Sequence, residues 1–208
     1  MLLNNKKIIV LLLLVVLYSG CKKEEENAGP DAAPITRENL IDSLTTVAKK
    51  ELNTESTFYL QGNFNGDSTI QFILGTEVNN PKEWGIKFHS FEYRNKNLVK
   101  DYETHLLKGS FEKSEVRKQR FEESNYDMIY YNSMTYFMGM SGGEIFSYII
   151  DLKNKKVYYG HLFSEDAEQF KLYLSKNYDD KKIQGYMVNN LKKDYPNVKQ
   201  VSKDVTLE

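Results

Sequence analysis

Apolar side chains recur at helical spacing soon after residue 35. They lie on one face of a predicted amphipathic helix, whose N-cap is expected to be Thr36 and whose end is expected near Leu52 or Asn53. The apolar face consists of Leu40, Ile41, Leu44, Val47 and Ala48. A helix with this pattern is expected to pack its apolar face against the rest of the fold.

The hydrophobic period then changes to two. Apolar and polar residues alternate over residues 58–64 and again over 70–74, on either side of Asn65-Gly66. An Asn-Gly pair between two alternating runs predicts a β-hairpin. A further strand is predicted to begin at Trp84, to turn at residues 94–97 and to return through 98–111.

The pattern is less regular beyond residue 111. Charged residues dominate 112–124, which indicates a solvated loop or a short helix. Residues 126–138 predict two short strands around Asn132-Ser133. Residues 145–152 and 156–163 predict a second hairpin.

Two helices and an edge strand are predicted for the C-terminal part. Ser164, followed by acidic residues, is the expected N-cap of a helix with Phe170, Tyr173 and Leu174 on its apolar face. Pro196 is expected to end a second helix, in which an apolar residue recurs every four positions. These residues are Ile183, Met187, Leu191 and Tyr195. The polar tail is expected to fray or to add an edge strand through Val198, Val201 and Val205.

The order of these elements indicates an α+β fold. Successive strands joined by short turns favour a curved antiparallel β-meander, as a sheet or a partly closed barrel, with the terminal helices packed on one side. A lipocalin-like closed barrel with a C-terminal helix is the alternative. Residues 35–208 are long enough for a single domain with its own core.

The first twenty residues follow the order of a secretory signal peptide. Lys6 and Lys7 precede ten apolar residues, 8–17, and the small residues Ser19 and Gly20 follow. The apolar run is too short for a transmembrane helix, which needs about 20 residues. We therefore assign residues 1–20 to a signal peptide.

Tyr18-Ser19-Gly20-Cys21 contains the single cysteine of the chain. The segment resembles the lipobox of bacterial lipoproteins. The resemblance implies cleavage before Cys21, a diacylglycerol on its thiol and acylation of its new amino group. One acyl chain anchors only marginally, at about 0.8 kcal/mol per buried methylene, whereas two or more chains hold stably. A single cysteine also excludes an internal disulfide.

A short charged segment follows the cysteine, formed by Lys22, Lys23, Glu24, Glu25 and Glu26. It resembles the export signal of Bacteroidetes-type surface lipoproteins. The resemblance implies transfer to the outer leaflet of the outer membrane, with the domain facing the medium. A solvated charged tether is the alternative interpretation. Residues 21–34 contain small residues and prolines, and we expect them to form a flexible tether.

The charge of the mature chain argues against binding to nucleic acid. Removal of residues 1–20 takes two of the 28 basic residues and none of the 29 acidic ones, which leaves a net charge of −3. Phosphate contacts need clustered Lys and Arg, so a slightly acidic chain is a poor candidate for that role.

Ser141 is a candidate nucleophile. Gly139-Met140-Ser141-Gly142-Gly143 matches G-x-S-x-G and resembles the segment around the nucleophile of chymotrypsin-like proteases. A nearby base could activate such a serine. A strand-like run follows where a hydrolase elbow needs a helix, so we favour a glycine turn between two strands.

The sequence gives little support for a metal or a cofactor. His89, His105 and His161 show no metal-ligand spacing, and no second cysteine is present. The loop of Asn63, Asn65 and Asp67 lacks the acidic spacing of an EF-hand, which favours a hairpin turn. We therefore expect neither a metal nor a cofactor.

Trp84 and two tyrosine pairs, Tyr130-Tyr131 and Tyr158-Tyr159, are candidate binding aromatics. Neighbours on a strand face opposite sides, so each pair either sends one ring outward or lies in a layer covered on both sides. Outward rings would offer a flat surface to a sugar or a protein. Cross-strand pairing that stabilises the sheet is the alternative.

Together these observations favour a non-enzymatic lipoprotein of the outer membrane. We expect a surface-exposed binding or accessory subunit of an envelope complex, held in the membrane by its lipid anchor, with a protein or glycan partner. A hydrolase using Ser141 and a carrier of lipid or another small ligand in a closed barrel are the alternatives. An immunity-type lipoprotein that guards against a toxin has no sequence feature that separates it from the first hypothesis.

Overall fold

A computed structural model describes residues 37–53, 58–112, 114–136, 143–164 and 170–205. From Leu40 onward they belong to one compact unit. Two helices and ten strands form in this part of the chain. They are α1 (Arg37–Leu52), β1 (Phe58–Gly62), β2 (Ile70–Asn79), β3 (Trp84–Arg94), β4 (Asn97–Glu103), β5 (Ser114–Arg120), β6 (Asp127–Tyr136), β7 (Gly143–Asp151), β8 (Lys156–Ser164), β9 (Phe170–Ser175), α2 (Lys181–Asp194) and β10 (Val198–Val205).

The first sheet is an antiparallel meander with strand order β1-β2-β3-β4. The predicted hairpin around Asn65-Gly66 is confirmed, although β1 ends at Gly62 and the connection is longer than a two-residue turn. The side chain of Gln71 orders this connection, because its Oε1 accepts hydrogen bonds from the backbone N–H groups of Phe64 (2.6 Å) and Asn65 (2.9 Å).

The second sheet has the strand order β10-β9-β8-β7-β6-β5. Strands β5 to β9 form an antiparallel meander, which includes the predicted hairpin of β7 and β8. Strand β10 pairs with β9 in parallel, because α2 returns the chain to the end of the sheet at which β9 begins. The predicted C-terminal helix and edge strand are therefore confirmed.

The two sheets and two helices form four layers. One core cluster lies between the sheets and includes Phe88 and Ile73 from the first sheet and Tyr131 and Tyr148 from the second. Helix α1 covers the outer face of the first sheet through Leu44 and Ala48. Helix α2 covers the outer face of the second sheet through residues such as Met187.

The α+β class, the antiparallel strands and the terminal helices are as predicted, but two details of the layering differ. The helices cover opposite outer faces, where packing on one side was expected. The described strands form two separate sheets, so the alternative of a closed lipocalin-like barrel is wrong. Neither helix in the described part of the chain combines the length and the apolar character needed to cross a membrane.

Residues 114–120 form strand β5, where a loop or short helix was predicted. The strand lies at the edge of the second sheet, and alternate side chains have different surroundings. Val116 packs against the core between the sheets, whereas Arg117 reaches α2 and donates a hydrogen bond to the Tyr186 hydroxyl (2.6 Å). Charged residues fit this strand because an edge leaves their ends in contact with water.

Residues 127–136 form one strand, β6, where two short strands were predicted. Asn132 and Ser133 lie within it, and both find side-chain or backbone partners. Asn132 Oδ1 accepts a hydrogen bond from the Ser147 hydroxyl, and Ser133 Oγ donates to the carbonyl of Ser110 at 3.1 Å. These partners satisfy polar groups that would otherwise favour a turn.

Residues 170–175 form a strand, where a helix capped by Ser164 was predicted. Ser164 is the last residue of β8, and Phe170, Tyr173 and Leu174 belong to β9. Leu172 and Leu174 pack beneath α2, whereas Tyr173 faces the other side of the sheet beside His161. The period of two therefore prevails over the cap signal. The predicted N-cap Thr36 lies outside the described residues.

Candidate functional site

Both tyrosine pairs are buried in layers covered on two sides. Tyr131 and Tyr159 face the core between the sheets, whereas Tyr130 and Tyr158 face α2. Burial raises the pKa of the Tyr130 hydroxyl to about 12. None of the four rings forms an outward platform, so the structure supports the two-sided layer and removes these rings from the set of binding aromatics.

Trp84 is the large aromatic residue of this set that does reach the surface. It opens β3, and 41% of it is exposed. Gly85 follows it with φ of +151°, and a Cβ built there would lie 2.2 Å from the carbonyl oxygen of Leu107. The backbone therefore needs glycine directly after the tryptophan.

A row of rings extends the inter-sheet core to the surface at one end of the second sheet. Phe146 and Tyr159 are buried in that core, and the next rings on the same face are His161, Phe163 and Tyr173. We call these last three side chains the ring row. All three are partly exposed. The His161 ring stacks on Phe146 with centroids 4.8 Å apart, and it lies 6.2 Å from Tyr173.

A carboxylate holds the histidine of the ring row. Glu144, on the neighbouring strand β7, places Oε2 at 3.0 Å from His161 Nε2. Burial lowers the pKa of His161, and Glu144 opposes that effect only in part. Lys108 adds a further lowering of this pKa. The contact is therefore best described as a neutral imidazole N–H that donates to a carboxylate, with Nδ1 left as a proton acceptor.

A second group of polar side chains lies on the outer face of the first sheet. Thr76 Oγ1 lies 2.8 Å from His89 Nε2, and His89 Nδ1 lies 3.2 Å from Glu103 Oε2. Lys100 and Lys87 bind the same carboxylate at 2.5 and 3.0 Å. Lys100 first, and then Lys87, lower the pKa of Glu103 to about 2 against the opposing effect of burial. Burial lowers the pKa of His89.

The structure does not bring the three histidines together. His89 lies on the outer face of the first sheet, His161 on the inner face of the second, and His105 in the connection after β4. Among the described residues, no three His, Cys, Asp or Glu side chains are placed to hold a metal ion. In the loop of Asn63 and Asp67, carboxylate and amide oxygens accept hydrogen bonds from the loop itself.

Several predicted site residues lie outside the described residues. They are Cys21, the charged segment Lys22, Lys23, Glu24, Glu25 and Glu26, and the candidate nucleophile Ser141.

Sequence reasoning missed both the ring row and the Glu144–His161 pair. The hairpin of β7 and β8 was predicted, and its register places His161 opposite Phe146. In that register Glu144 lies two residues from Phe146 on the same strand, so it faces the same side of the sheet as His161. The position of Tyr173 had no such signal, because the sequence predicts a helix where β9 forms.

Comparison with protein-family models, with curated proteins and with solved structures gives no match for this chain.

Proposed function

We propose that this chain is a lipid-anchored binding or accessory subunit of the bacterial outer membrane, facing the medium. In this proposal Cys21 carries the acyl chains, and residues 22–26 direct export to the surface. The partner, a protein or a glycan, contacts the domain at the ring row. The signal-peptide pattern and the lipobox resemblance support the anchor, and the partly exposed rings support the contact surface.

The observation that carries the binding role is the partial exposure of three adjacent rings. Aromatic side chains supply large contact areas at low entropic cost, and they are enriched where proteins meet their partners. Here the rings continue directly from a packed core, so their positions are fixed before a partner arrives. A surface ordered in this way loses little conformational entropy on binding.

The anchor is tested by metabolic labelling with a fatty-acid analogue and by protease treatment of whole cells. We expect labelling of the native protein and none of Cys21→Ala. Neutralising Lys23, Glu24 and Glu25 together is expected to keep the label but to protect the domain from external protease. A chain that is unlabelled and still carries its leader would contradict the proposed location.

The contact surface is tested by photo-crosslinking on intact cells. A benzophenone amino acid replaces Tyr173 in one variant and Tyr59 in a control variant. Tyr59 is 39% exposed, on β1 of the first sheet, and therefore controls for exposure alone. We expect a discrete adduct from position 173 and none from position 59. Equal adducts, or none from either position, would refute a role of the ring row.

A hydrolase is the second candidate, and the Glu144–His161 pair is the observation that favours it. A carboxylate that orients a neutral histidine is the arrangement that serves a general base. Ser141 precedes Glu144 by three positions in the sequence. Labelling with a fluorophosphonate probe is expected to be lost in Ser141→Ala and His161→Gln if this function holds. Labelling that persists in both variants would exclude it.

A further inference from the structure

Three side chains on the outer face of the first sheet stand in the order hydroxyl, imidazole, carboxylate. Thr76 lies on β2, His89 on β3 and Glu103 on β4, and all three face the side that α1 partly covers. These three residues lie on the outer face of the first sheet, whereas the ring row lies on the inner face of the second sheet. We call these three residues the Thr76 relay.

We propose that the Thr76 relay makes the Thr76 hydroxyl a nucleophile that accepts an acyl group from a small ester. The proposal adds an activity to the binding role and does not depend on it. In the step proposed, a bond forms between Thr76 Oγ1 and the acyl carbon, and the ester C–O bond breaks. The hydroxyl proton passes to His89 Nε2 and from there to the leaving alkoxide, so that an alcohol and an acyl-threonine result.

The charges around the relay favour this direction of proton transfer. Lys100 and Lys87 keep Glu103 ionised, and a carboxylate beside Nδ1 favours the imidazole tautomer with its proton on Nδ1. Nε2 is then an acceptor, directed at the Thr76 hydroxyl at 2.8 Å. The neutral imidazole is the form that can act as a base.

The contact between Nδ1 and Glu103 is at ion-pair distance but does not meet the geometry of a hydrogen bond. Catalytic hydrogen bonds are often long or poorly aligned in the free protein and tighten when substrate binds. Thr76 and His89 are each 5% exposed, while about a third of the side chains of Lys87 and Glu103 is open to water. Lys87 pairs directly with Thr76 across the two strands. An ester would therefore approach from the side of Lys87, whose ammonium binds the Glu103 carboxylate at 3.0 Å.

The test uses p-nitrophenyl acetate and the purified full chain. We expect a burst of one nitrophenolate per chain and one acetyl group on the peptide that contains Thr76. Because the bond is an oxygen ester, alkaline hydroxylamine should release the acetyl group, whereas an acetylated lysine is an amide and keeps it. His89→Gln is expected to slow the burst by about 100-fold, the contribution of a general base.

Two variants of the nucleophile separate chemistry from folding. Thr76→Ser keeps a hydroxyl and is expected to keep the burst, whereas Thr76→Val keeps the shape and is expected to lose it. Three results would overturn the proposal: no acetylation, acetylation that resists alkaline hydroxylamine, or acetylation that mass spectrometry of the unmutated protein places on another residue. That last measurement does not require any variant to fold.

Discussion

The packing of α2 on the second sheet makes a sharp prediction about Gly160 and Met187. Gly160 lies in β8 beneath the helix, and a Cβ built on it would lie 3.3 Å from both Cγ and Sδ of Met187 and 3.5 Å from Leu191. Met187 is fully buried. Because the added methyl group and the methionine side chain compete for one space, the two positions should be energetically coupled.

Each single substitution has a different expected cost. Met187→Ala should lower the free energy of unfolding by about 3 kcal/mol, from lost burial and the cavity left behind. Gly160→Ala restricts the unfolded chain, which is worth about 0.4–1 kcal/mol, but crowding against Met187 should cancel that gain. Once Met187 is shortened, the crowding is gone and the methyl group partly fills the cavity. The double variant should therefore be about 1 kcal/mol more stable than the sum of the single effects predicts.

Urea unfolding of the four proteins measures this coupling, provided that the m-values agree. Gly185→Ala is the matched control, because Gly185 lies on the same helix as Met187 and a Cβ added there would meet nothing within 4 Å. It should stabilise the protein by about 1 kcal/mol whether or not Met187 is present. Effects of Gly160→Ala and Met187→Ala that add within about 0.3 kcal/mol would refute the proposed packing of helix on sheet.

Three further predictions concern buried polar groups and the backbone. Gln71→Leu removes the acceptor of two backbone N–H groups in the β1–β2 connection, and it should lower the free energy of unfolding in urea by about 2–4 kcal/mol. A decrease below about 0.5 kcal/mol, the size of an ordinary surface effect, would contradict that role. Because the pKa of Glu103 falls from 4.5 to about 2 on folding, its contribution is present above pH 4.5 and is lost as the pH falls toward 2. Glu103→Gln should therefore lower the free energy of unfolding by about 1 kcal/mol at pH 7, after allowance for solvent screening, and leave it unchanged near pH 2. An equal decrease at both pH values would exclude this linkage. Gly85→Ala should cost about 2 kcal/mol or more, since the new methyl group would meet the Leu107 carbonyl, and an unchanged thermal midpoint would show that the backbone can relax.

Local sequence signals predicted correctly those elements in which the turn or cap residues and the hydrophobic period indicate the same conformation. The hairpin of β7 and β8 combines alternating apolar residues with a polar turn, and α2 combines a four-residue apolar repeat with Pro196 at its end. The hairpin of β1 and β2 was found for the same reason. In such segments the turn chemistry and the hydrophobic period favour the same conformation, so no distant partner is needed to decide between alternatives.

Elements whose residues find their partners far along the chain were mispredicted. Arg117 in β5 depends on Tyr186, which is 69 residues away, and Ser133 in β6 depends on Ser110. The segment around Tyr173 carries both a cap signal and an alternating pattern, and only pairing with β8 selects the strand. Long-range contacts of this kind override local propensity because they bury more surface than a single turn can.

The sequence by itself determined the two hairpins, because each depends on a few neighbouring residues, and the α+β class, because the order of local patterns along the chain indicates it. The leader and the lipobox resemblance at Cys21 stay predictions from the sequence. Only the tertiary structure decided that the strands divide into two sheets, that each helix covers a different outer face, and that the tyrosine pairs are buried. It also brought Glu144 to His161 and Thr76 to His89. Those contacts depend on strand register and on the layer that covers each face, and such relations arise from packing across the whole domain.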